Sequence, residues 1–346
     1  MPNYLMCFVV ALVLAAVVTP LVIRLAFKTG AIDQPDARKV HSQPIPRIGG
    51  LAIFLSFMLT VFFMTDFSAL PDDLSSGELG LLLGGTLIVV LGLVDDFCNL
   101  PAKVKLLGQI ICALVVVVGF DVRIDFITAP FGGYLYTEYL AIPLTLFWFV
   151  GFTNTVNLID GLDGLAAGVA GIAALTIFAV ALTNEIFVVA TLTIILAGSV
   201  IGFLFYNFNP AKIFMGDTGS MFLGFMLAGI SVIGAVKTTA TITLVIPLLA
   251  LGVPIMDTSF AIIRRYRGGV PIFKPDKGHL HHRLLDKGFS QRQAVLLVYA
   301  VSIFLGLTAI IFNAFSGVLA MLLALVVLVL IVLGAEKLGI LKINKH

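Results

Sequence analysis

Charged residues are scarce in this chain, and their scarcity excludes an ordinary soluble fold. Lys, Arg, Asp and Glu make up 12% of the 346 residues, whereas 60% are hydrophobic. A soluble domain has about a quarter charged and about half apolar residues. With a mean hydropathy of +1.12, the composition is typical of a polytopic membrane protein.

Cysteine is also rare, and charge of neither sign is in large excess. Cys7, Cys98 and Cys112 show no CxxC pairing, which argues against a disulfide framework or a zinc site. The net charge of +2 predicts no nucleic acid or other strongly acidic partner. A cleavable signal is not evident, because the first apolar run is followed, not preceded, by its basic residues Arg24 and Lys28.

Long apolar runs fill most of the chain. Because a span needs about 20 apolar residues, the sequence predicts an all-α protein with eleven transmembrane helices in one integral membrane domain over 1–346. The predicted spans are 4–27, 48–65, 79–94, 106–120, 138–156, 164–183, 187–205, 218–236, 239–262, 294–312 and 317–335. Residues 121–137 alternate in polarity and turn at Gly132-Gly133, which predicts a small external β-hairpin.

Basic residues are distributed unevenly between the loops. Of the 21 Lys and Arg residues, 19 fall in one set of loops and the C-terminal tail, and only Arg123 and Lys237 fall on the other side. This bias predicts an external N-terminus and a cytoplasmic C-terminus. The unusual polar residues occupy the same loops, so we expect the chemistry on the cytoplasmic face. These loops are 28–47, 95–105, 157–163, 206–217 and 263–293.

Two groups of acids stand where predicted spans end. Adjacent acids such as Asp95-Asp96 repel each other unless a cation is near, and Mg²⁺ or Mn²⁺ would suit their oxygens. A helix end exposed to water is an equally good explanation.

Asp160 and Asp163 would share one face of a helix, next to the amide of Asn157. A simple turn between spans would not explain two acids with an amide.

The stretch from Asn207 to Ser220 combines an aromatic with a polar helix start. Gly216-Asp217-Thr218-Gly219-Ser220 is expected to open a helix whose free backbone N–H groups face an anion. Asp217 could instead be only an N-cap. Phe214 could stack on a base or anchor the chain at the membrane surface.

Basic and histidine-rich loops complete the set. His279-Leu-His281-His282-Arg283 lacks the spacing of a closed zinc site and suits a phosphate clamp. Attraction to anionic lipid would explain its basic residues but not its histidines. Arg47, after Arg38-Lys-Val-His, could contact a phosphate or only fix the topology.

Four motifs, in this order, resemble the polyprenyl-phosphate N-acetylhexosamine-1-phosphate transferases of glycosyltransferase family 4. They are Asp95-Asp96, Asn157-Leu-Ile-Asp-Gly-Leu-Asp-Gly, Phe214-Met-Gly-Asp-Thr-Gly-Ser and His279-Leu-His-His-Arg. The last form resembles the WecA/TagO-like branch. The peptidoglycan branch, which transfers phospho-N-acetylmuramoyl-pentapeptide, carries a His-His-His-Phe-Glu-like version.

The resemblance implies a reaction and its participants. N-acetylglucosamine-1-phosphate would pass from UDP-GlcNAc to undecaprenyl phosphate in the bacterial cytoplasmic membrane, releasing UMP, as the first lipid-linked step of a cell-envelope polysaccharide. Mg²⁺ or Mn²⁺ would assist, and a homodimer is expected. Phospho-N-acetylmuramoyl-pentapeptide transfer, or transfer from another UDP-HexNAc, is the alternative within the family. A secondary transporter is the rival class, but its acids should lie near the bilayer centre.

The resemblance also implies roles for individual residues. Asp217, with Asp96, would hold the metal, and Asp95 would be a candidate general base beside it. The lipid phosphate would be neutralised by Lys103 or Lys105. The nucleotide pocket would be lined by Asn157, Asp160, Asp163, Asn207 and Phe214. The pyrophosphate or sugar would be held by His279, His281, His282 and Arg283, with His281 counted among the catalytic residues. Because a phosphate monoester is mostly dianionic near neutral pH, direct attack is preferred over a covalent intermediate on Asp163.

Overall fold

The computed structural model describes most of the chain as a helical bundle. The described residues are 3–34, 44–64, 75–128, 133–236, 244–269 and 278–315, with the single positions 322, 326 and 329. The helices are α1 (Tyr4–Thr29), α2 (Gly50–Met64), α3 (Ser75–Cys98), α4 (Ala102–Gly119), α5 (Ala141–Leu158), α6 (Leu165–Thr183), α7 (Phe187–Asn207), α8 (Gly216–Val236), α9 (Val245–Ala250), α10 (Gly252–Arg267), α11 (Leu280–Asp286) and α12 (Gln291–Asn313).

Eight of the helices in the described part are long and apolar enough to cross a membrane. The prediction of a mostly helical, multi-pass protein is therefore confirmed. The number eleven and the orientation of the termini are not: α2 has only 15 residues, and most of the predicted span 317–335 lies outside the described residues.

The predicted span 239–262 is not one continuous helix. Residues 237–243 lie outside the described residues, and the rest forms α9 and α10 with a break at Leu251. Pro254 has no N–H to donate to the carbonyl of Ala250, so the helical hydrogen bonding cannot run unbroken through this point. The break leaves α10 as a separate helix that carries Asp257.

Helices α7 and α8 form the centre of the bundle. Helix α8 packs between α3 and α5, and α7 packs between α1 and α6. Every residue of α8 from Thr218 to Ala235 is buried. At the start of α8, a Cβ on Gly50 would overlap the backbone of Gly219, so the two glycines let α2 and α8 touch.

Two short hairpins flank the helices. β3 (Phe126–Thr128) pairs antiparallel with β4 (Tyr134–Tyr136), which confirms the predicted hairpin near 121–137. β1 (Ile32–Asp33) pairs antiparallel with β2 (Ile45–Pro46) and carries the chain into the start of α2. Arg38, Lys39 and His41 lie between these two strands, outside the described residues.

Candidate active site

A polar cavity of about 990 Å³ opens at one end of the bundle. It lies where α3, α5 and α7 end and where α4, α6 and α8 begin. Its walls include ten of the residues that the sequence singled out, namely Arg47, Asp96, Lys105, Asn157, Asp160, Asp163, Asn207, Phe214, Asp217 and His282. The fold therefore brings four separate sequence motifs to one place.

Lys105 joins two of the acids. Its ammonium group lies 2.8 Å from Oδ2 of Asp95 and is in direct contact with Oδ1 of Asp217. The amide of Asn157 donates to the same oxygen of Asp217 and also to Ser220 Oγ at 2.8 Å. Asp95 is almost fully buried, whereas the Asp217 side chain is 31% exposed toward the cavity. Two carboxylates thus converge on one positive charge at the cavity wall.

Asp96 caps the first turn of α8. Its two oxygens accept hydrogen bonds from Asp217 N and Thr218 N, both at 3.0 Å, and from Thr218 Oγ1 at 2.6 Å. The sequence predicted that α8 begins at Gly216 with N–H groups facing an anion, and the helix start is confirmed. The anion that these N–H groups meet is the protein's own carboxylate, which the N-terminal helix dipole favours. Asp96 therefore fixes the position of Asp217.

Arg47 connects α2 to the end of α3. Its guanidinium donates to the backbone oxygen of Asp96 and, at 3.3 Å, to Oδ1 of Asn99. Asn99 has a positive φ of 49° just after α3 ends. Arg47 also lines the cavity, so it satisfies the helix end and leaves a positive charge beside the acids.

A buried amide pair lies one turn deeper in the bundle. Asn154 on α5 donates to Gln109 Oε1 at 2.6 Å, and Gln109 on α4 is 1% exposed. Gln109 follows Lys105 by four residues, and Asn154 precedes Asn157 by three, so each pair lies on one helix face. The amide pair therefore holds α4 and α5 at the separation that lets Lys105 and Asn157 reach the same carboxylate.

Asp163 holds a neighbouring loop. Its Oδ2 accepts from Asn209 Nδ2 at 2.9 Å and from Ala211 N at 3.1 Å. Asn209 Nδ2 also donates to Gln291 Oε1 at 2.8 Å, and Gln291 begins α12. The carboxylate of Asp163 lines the cavity but is already engaged in shaping its rim.

Asp160 is the least supported acid of the cavity. Among the described residues, no donor lies within hydrogen-bonding distance of its carboxylate. Burial, followed by the charges of Asp217, Asp96 and Asp163, raises the pKa of Asp160 to about 8. Asp160 and Asp163 lie in the turn between α5 and α6, not on one helix face as the sequence suggested, yet both reach the cavity.

Asn207 and Phe214 close the cavity from the side of α7 and α8. Asn207 is buried, and its Nδ2 donates to Ile213 O at 2.9 Å. Phe214 exchanges backbone hydrogen bonds with the strand leading into α2, accepting from Gly49 N at 3.0 Å and donating to Pro46 O at 2.8 Å. The aromatic ring is therefore carried on a fixed backbone at the cavity wall.

The three histidines of the 279–282 stretch occupy different depths. His282 lines the cavity, whereas His279 and His281 are buried behind it. Burial, then the neighbouring His282, lowers the pKa of His281 to about 4, so this ring is neutral near pH 7. Arg283 donates its Nε to Gly278 O at 3.1 Å and does not line the cavity. Lys103 is exposed and also lies outside the cavity lining.

Comparison with known proteins identifies the family. Residues 78–235 match the model of glycosyl transferase family 4. The chain is 40% identical to a probable undecaprenyl-phosphate N-acetylglucosaminyl 1-phosphate transferase of Bacillus subtilis, over 98% of this chain and 93% of that protein. The chain belongs to glycosyl transferase family 4. It is also 38% identical to a decaprenyl-phosphate N-acetylglucosaminephosphotransferase of Mycobacterium leprae, over 81% of this chain and 76% of that protein. A phospho-N-acetylmuramoyl-pentapeptide-transferase of Bacillus subtilis is 33% identical, over 89% of this chain and 96% of that protein.

This family 4 glycosyl transferase is therefore a membrane enzyme. Two residues that the sequence did not single out lie behind its cavity. Asp257 accepts hydrogen bonds from His279 Nδ1 and Leu280 N. Tyr299 on α12 donates its hydroxyl to Gly164 O, behind the Asp163 turn. Asp257 could have been found, because it is an acid inside an apolar run, and such residues are costly unless paired. Tyr299 gives no such signal, since an aromatic in a span is usually a packing residue.

Proposed function

We propose that this protein transfers N-acetylglucosamine-1-phosphate from UDP-GlcNAc to undecaprenyl phosphate at the cytoplasmic face, giving undecaprenyl-diphospho-GlcNAc and UMP. The product would be the first lipid-linked intermediate of a cell-envelope polysaccharide. The observation that carries the proposal is the ammonium group of Lys105 held between Asp95 and Asp217 on the cavity wall. It marks a place where carboxylates and a cation converge, as phosphoryl transfer requires. The names of the relatives from Bacillus subtilis and Mycobacterium leprae support the sugar.

The size and place of the cavity support the substrates. Ligand pockets are typically about 300–1,000 Å³, and a cavity of about 990 Å³ is large enough for a nucleotide sugar. The cavity lies at the end of the bundle, so a soluble donor and the headgroup of a membrane lipid can meet there. The positive-inside bias of the loops supports the cytoplasmic face.

The carboxylates fit a divalent cation. Among the described residues there is no cluster of three or more acids, histidines or cysteines able to hold a metal. Mg²⁺, however, usually binds through one or two carboxylates together with substrate phosphates and water. Asp217, which is partly exposed and already binds an ammonium group, is the residue that would hold Mg²⁺ or Mn²⁺. Asp96 would support it from behind, since both Asp96 oxygens accept bonds from α8. The bound cation would neutralise the diphosphate oxygens.

The proposed reaction needs no proton transfer. The lipid phosphate, mostly a dianion near neutral pH, attacks the β-phosphorus of UDP-GlcNAc through one oxygen. The bond between that phosphorus and the bridging oxygen breaks, and UMP leaves with the electron pair. Lys105 and Arg47 place positive charge beside the phosphates. Asp95, which is bound to Lys105 and to Leu100 N, would orient the lysine instead of abstracting a proton.

The position of Asp163 supports direct attack over a covalent intermediate. Its Oδ2 already accepts two hydrogen bonds from the 209–211 loop, which lower the nucleophilicity of the carboxylate. Trapping with UDP-GlcNAc labelled in the sugar, in the absence of lipid, tests this step. We expect no labelled protein; a stable phospho-sugar adduct would contradict direct attack.

The function itself is tested with purified protein in detergent. Undecaprenyl phosphate, Mg²⁺ and one UDP-sugar at a time are supplied, and UMP release is measured. UDP-GlcNAc should be used at least about tenfold better than UDP-GalNAc or UDP-MurNAc-pentapeptide, a difference of about 1.4 kcal/mol in transition-state binding. A preference for UDP-MurNAc-pentapeptide would reassign the sugar, and no UMP with any donor would refute the proposal.

A further inference from the structure

A buried carboxylate lies behind the histidines. Asp257 on α10 is 5% exposed and does not line the large cavity. Its Oδ2 lies 2.9 Å from His279 Nδ1, and its Oδ1 accepts a hydrogen bond from Leu280 N at 2.8 Å. Both oxygens are thus directed at the start of α11. Because a buried charge is costly unless it is paired, these two contacts explain why the acid is tolerated there.

The helix that Asp257 holds is too short to be stable alone. α11 has seven residues, and isolated helices shorter than about 12–15 residues are marginal in water. Its position must therefore come from tertiary contacts. A carboxylate that accepts from Nδ1 also fixes the ring orientation and the proton position of His279. Asp257 thereby sets both where α11 begins and how its first histidine is turned.

Three imidazole rings continue from Asp257 toward the cavity. The rings of His279 and His281 are nearly parallel, with an interplanar angle of 7° and centroids 5.8 Å apart. The rings of His281 and His282 are 4.3 Å apart. Of the three, His282 lines the cavity. A displacement at Asp257 would therefore be passed through packed rings to a cavity wall.

The middle ring also supports the acidic turn. A Cβ added to Gly161 would lie 2.6 Å from His281 Nε2, so the ring packs directly on the backbone between Asp160 and Asp163. The low pKa of His281 keeps this ring neutral near pH 7, in keeping with a packing role. The rings therefore contact the cavity in two ways: His282 lines it, and His281 packs on the turn that carries Asp160.

We propose that Asp257 is a positioning residue of the transferase, which holds α11 through His279 so that His282 faces the nucleotide-sugar side of the cavity and His281 supports the Asp160–Asp163 turn. The proposal rests on the transferase function proposed above. It assigns His279 to a structural bond with Asp257 and leaves substrate contact to His282. The acids around Asp217 belong to other helices and should be unaffected.

The first test compares Asp257→Asn with Asp286→Asn. Asp286 lies at the exposed end of the same short helix, so its variant makes the same charge change without the buried bonds. In Asp257→Asn, the new amide would either point its own N–H at His279 or leave one of the two N–H groups that Asp257 binds without an acceptor. We expect a KM for UDP-GlcNAc about tenfold higher, the lower end of the effect of losing a group that orients a functional histidine. The KM for undecaprenyl phosphate should stay within about twofold in the same assays, since fewer folded molecules lower kcat without separating the two KM values. Equal KM values for both substrates in the variant and the wild type would overturn the proposal.

The second test uses matched replacements of His279. Asn places an amide N–H near the position of Nδ1 and can still donate to Asp257, whereas Gln places its amide near Nε2. If His279 acts through Asp257, His279→Asn should retain at least about five times more kcat/KM than His279→Gln, a difference of about 1 kcal/mol. The reverse order would show that Nε2 contacts the substrate, and would overturn the assignment.

A third measurement is independent of activity. Diethyl pyrocarbonate modifies accessible histidines, and mass spectrometry locates the modified rings. In the wild type, His282 should react faster than the buried His279 and His281; in Asp257→Asn, His281 should become at least about fivefold more reactive, since a fraction of α11 is displaced. Unchanged labelling in Asp257→Asn would refute the positioning role. If the labelling changes as expected but the wild type releases no UMP, the transferase proposal fails and the positioning role stands.

Discussion

The acids in and beside the cavity differ in how they are held. Asp95, Asp96 and Asp217 are tied to donors from three helices, with Lys105 between two of them. Asp160, in the turn between α5 and α6, has no hydrogen-bond donor within the described part of the chain. The first three acids are held by an ion pair and hydrogen bonds before substrate arrives, whereas Asp160 would gain hydrogen-bond partners from a molecule that enters the cavity.

This difference in how the acids are held predicts two different roles, one in catalysis and one in donor binding. A fixed set of charges costs no reorganisation when phosphate charge develops, which is the main source of electrostatic catalysis. A carboxyl that is neutral near pH 7 can donate a hydrogen bond to a carbonyl or hydroxyl of a nucleotide. We therefore expect changes in the fixed set to lower turnover, and changes at Asp160 to alter donor affinity.

The largest effect is expected from Asp217→Asn. The substitution keeps the shape but removes the charge that Lys105 and Asn157 contact. Losing several kcal/mol of transition-state stabilisation should lower kcat by about 10³-fold or more. UMP release at saturating substrates measures this. Asp125→Asn, which removes a charge paired with Arg123 away from the cavity, is the matched control. A loss of less than tenfold in Asp217→Asn would exclude it as the principal metal ligand.

A smaller effect is expected from Lys105→Met, compared with Lys103→Met. Both lysines are near the start of α4, but Lys105 bridges two acids and Lys103 is exposed. Removing charge-assisted hydrogen bonds at the reacting phosphates should lower kcat about 10²-fold for Lys105→Met. Lys103→Met should change kcat less than threefold, because an exposed charge is screened. Similar losses in both variants would show that the position of the bridging ammonium group is unimportant.

The sequence predicted the membrane fold, the hairpin near 121–137 and ten residues of the cavity wall because each has a local signal. Apolar runs mark helices, and acids at their ends mark polar loops. It also predicted the start of α8 at Gly216. The role of each acid, however, depends on contacts with residues that are distant in the sequence. The partner of the α8 N–H groups is Asp96, 121 residues away from Asp217, and no spacing rule connects them.

The histidine stretch shows the same limit. Its composition predicted a substrate clamp, yet only His282 of the three histidines lines the cavity. His279 is positioned by its contact with Asp257, and His281 by packing on the backbone of Gly161. Both partners are distant in the sequence. The break between α9 and α10, which frees Asp257 to meet His279, depends on Pro254, a residue that does not interrupt the hydropathy of the apolar run 239–262.

The smallest effect, and the one that isolates Asp160, is a pH dependence of donor binding. Because its pKa is raised to about 8, the carboxyl is neutral at pH 7 and gains a negative charge as the pH rises through 8. That charge faces a diphosphate, so the Kd of UDP-GlcNAc should rise above pH 8, by at most about tenfold per pH unit. Calorimetry from pH 6.5 to 9, with EDTA so that no divalent cation shifts the titration, measures the slope. Asp160→Asn cannot ionise and should give a flat profile with a Kd near that of the wild type at pH 7. If the variant keeps the slope, another group titrates, and the contrast between fixed and open acids would lose its functional meaning.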